Sequence, residues 1–210
     1  MSANWLNLAL DFGAILGSGF VAKMVDDVFN TEYDICSGLR TFAAKTGRKA
    51  LPYSILAVLF AAICNIHLAI GVFLASYAIG PIFKSWEQES KPQSVIESIV
   101  ATLLCVLVLG VHDTIWALAM MCVVYWLDAI VDMNHDSMSG QRNIANRFGV
   151  AVTLFAVLFA FVITVLFNTS WTVLALTAFS LLDIFFESTT TELMDSENER
   201  MWQRGSNRGG

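Results

Sequence analysis

Two stretches of this sequence repeat an acid or amide every fourth residue beside a strongly apolar run. The first reads Met24-Val25-Asp26-Asp27-Val28-Phe29-Asn30-Thr31-Glu32-Tyr33-Asp34, and the second Asp128-Ala129-Ile130-Val131-Asp132-Met133-Asn134-His135-Asp136. On a helix, residues four apart share a face. Asp26, Asn30 and Asp34 would therefore line one side with Asp27 on its shoulder, and Asp128, Asp132 and Asp136 would line one side of a second helix. Carboxylates at the edge of a membrane segment are costly and call for a reason. Six of them converging would repel one another unless cations stood between them. Magnesium prefers oxygen ligands, usually takes only one or two carboxylates, and completes its shell with water and phosphate oxygens. Two acidic helices bracketing a diphosphate answer to that chemistry. Either stretch alone could be a solvated helix end; both together, at one spacing, favour the metal.

Basic residues follow each stretch: Arg40, Lys45, Arg48 and Lys49 after the first, Arg142 and Arg147 after the second. Such side chains can bind phosphate oxygens. Ordinary membrane topology, which collects Lys and Arg in cytoplasmic loops, accounts for them equally well.

The elements that must position these residues are membrane helices. The chain has 210 residues, 56% of them apolar and only 14% charged, against about 25% charged in soluble domains, and a mean hydropathy of +0.63. No basic footprint for nucleic acid is present. Apolar runs lie near Trp5–Val25, Ala50–His67, Leu68–Phe83, Ser94–Val111, Ile115–Asp132, Val150–Phe167 and Trp171–Phe186, close to the roughly 20 residues a spanning helix needs. The expected fold is an all-α, polytopic transmembrane bundle of about seven spans over residues 1–189, followed by a disordered cytoplasmic tail over 190–210. The first run lacks a basic n-region, so no cleavable signal peptide is expected.

The connections alternate. Asn65-Ile66-His67, His112-Asp113-Thr114 and Asn168-Thr169-Ser170 are short and free of Lys and Arg. The other set carries every basic residue, Lys23 included. By the positive-inside rule that set is cytoplasmic, which puts the N-terminus outside, the C-terminus inside and both acidic stretches on one side. The four cysteines, Cys36, Cys64, Cys105 and Cys122, form no CxxC pair and read as small hydrophobes. Gly13, Gly17 and Gly19 put small residues on the first span, which suits close helix packing. Asp11 within that span either bonds a neighbouring helix or lines the cavity.

The first stretch resembles the Asn-Asp-x-x-Asp-x-x-x-Asp signature of the UbiA superfamily of intramembrane prenyltransferases. The second, continued from Asp132 and Asp136 through Gly140, Arg142 and Gly149, is similar to that family's Asp-x-x-x-Asp-x-x-x-Gly stretch, with Asn143 where the family has Thr. A third echo is Tyr77-Ala-Ile-Gly-Pro81-Ile-Phe-Lys84. The resemblance implies a helical bundle around a central cavity in which Mg2+ ionises an isoprenoid diphosphate and the prenyl group passes to a small aromatic or lipid acceptor within the bilayer. It assigns Asp26, Asp27, Asn30 and Asp34 to a first metal, and Asp132 and Asp136, extended by Asp128, to a second. Asp27, Asp132 and Asp136 become the catalytic carboxylates. Lys84 and Arg142 become diphosphate contacts beside Arg40, Lys45, Arg48 and Arg147, and Tyr77 and Tyr125 offer ring faces to the allylic cation. Two departures stand out: Asp26 and Asn30 have exchanged places relative to the family motif, and the family's usual bundle has its first and last helices in addition. Their absence would open the cavity to lipid or to a second copy in a homo-oligomer.

Within the same chemistry the alternative is a membrane terpene cyclase, in which the substrate's own double bonds capture the cation. A CDP-alcohol phosphotransferase would need an Asp-Gly pair before Asp132, which is missing. A cation carrier would place its acids near the bilayer midplane rather than at helix ends. A non-catalytic scaffold is the remaining expectation.

Overall fold

The computed structural model describes residues 3–36, 39–87, 92–133 and 144–192. Nearly all of these are helical. Helix α1 spans Ala3–Cys36, α2 Phe42–Thr46, α3 Ala50–Glu87, α4 Pro92–Val131, α5 Ile144–Phe148 and α6 Val150–Thr189. A two-residue antiparallel ladder joins β1, Leu39–Arg40, to β2, Thr191–Glu192, with Leu39 opposite Glu192 and Arg40 opposite Thr191. The segment expected to be tail therefore begins with three described residues, Thr190 to Glu192, tied back to the chain that follows α1. The remainder, 193–210, lies outside the described residues.

Four helices are long and apolar enough to cross a membrane: Asn4–Val28, Phe42–Gly80, Val95–Val131 and Val150–Thr189. The last three run to 37–40 residues. At 1.5 Å per residue, a straight 40-residue helix would reach about 60 Å, twice the hydrocarbon thickness. Each of them breaks near its middle, α3 at Asn65 (φ −156°, ψ 102°), α4 at Gly110 (φ 79°, ψ 170°) and α6 at Asn168 (φ −155°, ψ 93°). The breaks have local causes. Asn65 Oδ1 accepts from the Leu68 amide at 3.2 Å and Asn168 Oδ1 from the Trp171 amide at 3.0 Å. Each Asn thus caps the helix that follows it, satisfying an amide that has no partner within the helix. Gly110 takes a left-handed φ that a side chain would penalise.

At Asn65 the chain turns back on itself. Gly17 of α1 packs so closely on Ala57 and Ala61 that an added Cβ would stand 2.9 Å from the Ala57 carbonyl oxygen. The next residue, Ser18, donates to the Ala69 carbonyl at 3.1 Å. Residues on both sides of the break therefore flank the same turn of α1. The close packing expected of the small residues in the first span is in place on two sides, with Gly13 and Gly17 against α3 and Gly19 against Leu182 and Phe179 of α6.

The core is a narrow seam of small and sulfur-containing side chains, among them Ala14, Ala75, Cys105, Met120, Ala175 and Ala178, around the buried Trp116. Trp116 donates its indole N–H to Thr172 Oγ1 at 3.0 Å and meets the Trp171 ring edge-on. Among the described residues no buried side-chain nitrogen or oxygen lacks a partner. Many large hydrophobes are outside: Ile63, Leu107, Phe155 and Leu166 are all mostly exposed. So extensive an apolar exterior suits lipid and not water.

Candidate functional site

Helix α1 runs unbroken from the first apolar residues through the whole first acidic stretch, so Asp26, Asn30 and Asp34 do fall on one helical face. Asp26 and Asp27 are half-buried, and Thr31 Oγ1 donates to the Asp27 carbonyl at 2.7 Å. The side chains of Asn30 and Asp34 lie outside the described residues. In the second stretch α4 carries Asp128, and the Asp132 amide still donates to the Asp128 carbonyl at 2.9 Å, so the helical register reaches Asp132. Asp128 is half-buried and Asp132 exposed. Asp136 and Arg142 lie outside the described residues.

The two acidic stretches, some hundred residues apart in sequence, meet at one end of the bundle. Asp128 stands within electrostatic reach of Asp26, Asp132 and Asp183. Between them stands Lys23, one turn before Asp26. Its ammonium donates to Asp183 Oδ1 of α6 and lies 4.0 Å from Asp128 Oδ1 of α4. One cation thus ties three helices together at their acidic end. The side chains keep 26%, 36% and 45% of their surface for Lys23, Asp128 and Asp183, so water and salt screen the contacts in part. Asp128, Asp132 and Asp183 stand around the one Lys23 ammonium, and Asp26 lies within reach of Asp128.

Tyr125 borders the same group. Its ring is half-buried, it lies within reach of Asp26 and Asp128, and a Cβ on Gly80 would come within 2.8 Å of its hydroxyl. Tyr77 is elsewhere, 46% exposed on the surface of α3. The Lys84 side chain lies outside the described residues. The remaining basic candidates are not gathered on the acids. Arg40 and Arg48 are exposed. Lys45 donates to the Thr189 carbonyl at the end of α6, where a cation also suits the helix dipole. Arg147 is exposed and lies over the Phe148 ring, 5.3 Å from its centroid.

No family model, curated protein or solved structure matches this chain. The site is therefore read from its own residues. Among the described residues no three His, Cys, Asp or Glu side chains stand close enough to hold a metal ion between them. Magnesium seldom needs three; one or two carboxylates, with water and phosphate oxygens, complete its shell. The all-oxygen donors Asp26, Asp27, Asp128 and Asp132 suit that ion in kind.

Lys23 is placed differently from what its sequence suggested. Counted with the loop residues, it instead projects from the interior of α1 and is half-buried. Its partner Asp183 lies near the end of α6, within the last apolar run. A signal for the pair was present: opposite charges in two apolar runs lower their cost by meeting. Asp11 resolves to its structural option. One carboxylate oxygen accepts from Asn65 Nδ2 at 2.7 Å, the other from Trp171 Nε1 at 2.9 Å. Cys64, Cys105 and Cys122 are free thiols.

Proposed function

We propose that this chain is a magnesium-dependent intramembrane prenyltransferase of the UbiA type, which ionises an isoprenoid diphosphate and transfers the prenyl group to a small acceptor. The observation that supports this reading is the convergence of Asp26 on α1 with Asp128 and Asp132 on α4, at one end of a bundle whose exterior suits lipid. In this reading α1 crosses the bilayer once, and α3, α4 and α6 each cross twice about Asn65, Gly110 and Asn168. Seven crossings place the N-terminus outside, and the C-terminus and the acids on the cytoplasmic side, as the basic residues require.

Asp26, Asp27, Asp128 and Asp132, joined by Asn30, Asp34 and Asp136, would hold Mg2+. The ion, when bound, neutralises the leaving diphosphate as its charge develops. Arg40, Arg48, Lys84, Arg142 and Arg147 supply the cations available for its outer oxygens. Tyr125, beside Asp26 and Asp128, is the ring best placed to face an allylic cation, and the surrounding lipid delivers the chain and limits water.

The test uses the purified chain in lipid nanodiscs with Mg2+ and polyprenyl diphosphates of several lengths. Pyrophosphate release is expected with Mg2+ and lost with EDTA. Substituting both Asp132 and Asp136 with Ala should lower turnover by at least about 100-fold with helicity and melting unchanged. Turnover unaffected by that double substitution would sink the mechanism. A hydrocarbon product formed without acceptor would assign the terpene cyclase reaction instead.

A further inference from the structure

A lateral groove runs beside α1. Its floor is apolar, about 440 Å3, lined by Leu16, Phe20, Ala57, Phe60, Leu181 and Phe185. Its mouth, about 510 Å3, is lined by Phe20, Phe42, Lys45, Thr46, Lys49 and Tyr53. The two parts meet at Phe20. Among the described residues no carboxylate lines either part, and the charged groups at the mouth are the ammonium groups of Lys45 and Lys49. From these features we infer that the groove binds one anionic glycerophospholipid, with its phosphate at Lys45 and Lys49 and one acyl chain along the floor.

Three features specify that occupant. First, the floor belongs to membrane-length apolar helices, α1, α3 and α6, and so lies where acyl chains are the solvent. From Tyr53 to Phe60 it extends about 10 Å along the helix axis, enough for the upper part of one chain. Secondly, the mouth carries donors suited to a phosphate. Lys45 has three N–H groups and gives one to the Thr189 carbonyl, leaving two for a ligand. Lys49 is exposed. Thirdly, rings fix the groove's shape. Phe20, Phe42, Phe185 and Phe186 form a mutually packed cluster with centroids 5.4 to 6.4 Å apart, so the wall between mouth and core is rigid. A zwitterionic lipid would bring its own ammonium group to two lysines, whereas an anionic lipid brings net negative charge. Anionic lipids also concentrate on the side of the membrane where basic residues collect.

The test is native mass spectrometry of the full chain after exchange into mixed micelles containing phosphatidylglycerol or phosphatidylcholine with the same acyl chains. One phosphatidylglycerol should be retained per chain and phosphatidylcholine retained at least about tenfold more weakly. The double variant Lys45→Gln with Lys49→Gln should lower phosphatidylglycerol retention by about tenfold, while Arg48→Gln, exposed but outside the lining, should leave it unchanged. Ala57→Phe fills the floor without touching a charge and should displace the lipid as well. It decides the matter if the lysine variant fails to fold. Equal retention of the two lipids, an equal loss in Arg48→Gln, or full retention in Ala57→Phe would each overturn the site.

Discussion

The two ends of the bundle handle buried charge in opposite ways. At the turn end the Asp11 carboxylate meets two neutral donors, Asn65 and Trp171, and both of its oxygens are satisfied. Asn65 also caps its own helix through its other side-chain atom. At the far end one cation, Lys23, reaches acids on two other helices, Asp183 of α6 and Asp128 of α4, with Asp132 nearby. The first arrangement is complete and reads as structure. The second has charge left over, and residual charge at a membrane interface is what a metal ion and an anionic substrate can use.

Removing the cation is the most damaging way to test this difference. Lys23→Met keeps the stem's packing but leaves Asp128 and Asp183 facing each other unpaired. Breaking a fully buried pair costs about 3–5 kcal/mol; these side chains are part-exposed, so the expected loss is about 2 kcal/mol. Denaturation in detergent would measure it. Adding Asp128→Asn and Asp183→Asn to Lys23→Met should return most of the loss. If the triple variant is no more stable than Lys23→Met alone, the three charges do not act as one unit.

Asp11→Ala should cost less, about 1–2 kcal/mol, because the two donors it strands are neutral. The comparison sharpens when turnover is read beside stability. Asp11→Ala should leave diphosphate turnover per folded molecule unchanged, and substitution of Asp132 and Asp136 should do the reverse. An Asp11 variant that melts normally but loses turnover would move the chemistry to the turn end.

Much of this architecture was legible in the residues. The apolar runs anticipated membrane-length helices, and Asn65 and Asn168 break the helix where polar turns were expected, since an Asn that can cap will stop a helix even among apolar residues. The α4 break falls at Gly110, two residues before the expected turn, because the left-handed φ and not the polarity of His112 ends that helix. The four-residue repeat correctly put Asp26 and Asp128 on helices. What periodicity could not give was Lys23 to Asp183, a contact between elements 160 positions apart. A lysine at the edge of an apolar run reads as a loop residue until the partner across the bundle is known. The basic residues illustrate the converse. Charge alone made Lys45 a candidate for the diphosphate; its contact with the Thr189 carbonyl at the end of α6 could not be read from charge.

The smallest effect tests the turn end at its finest grain. Trp171 serves twice, donating its indole N–H to Asp11 and packing edge-on against Trp116 at 5.2 Å between centroids. Trp171→Phe keeps a ring for Trp116 and removes only the donor, so Asp11 retains Asn65 as its partner. Hydrogen bonds between membrane helices contribute about 0.6 kcal/mol on average, and a loss of that size is expected. In a double-mutant cycle with Asp11→Ala, the coupling should match the single loss in Trp171→Phe. Zero coupling would mean that the indole's contribution is packing alone and that Asn65 by itself holds the carboxylate in place.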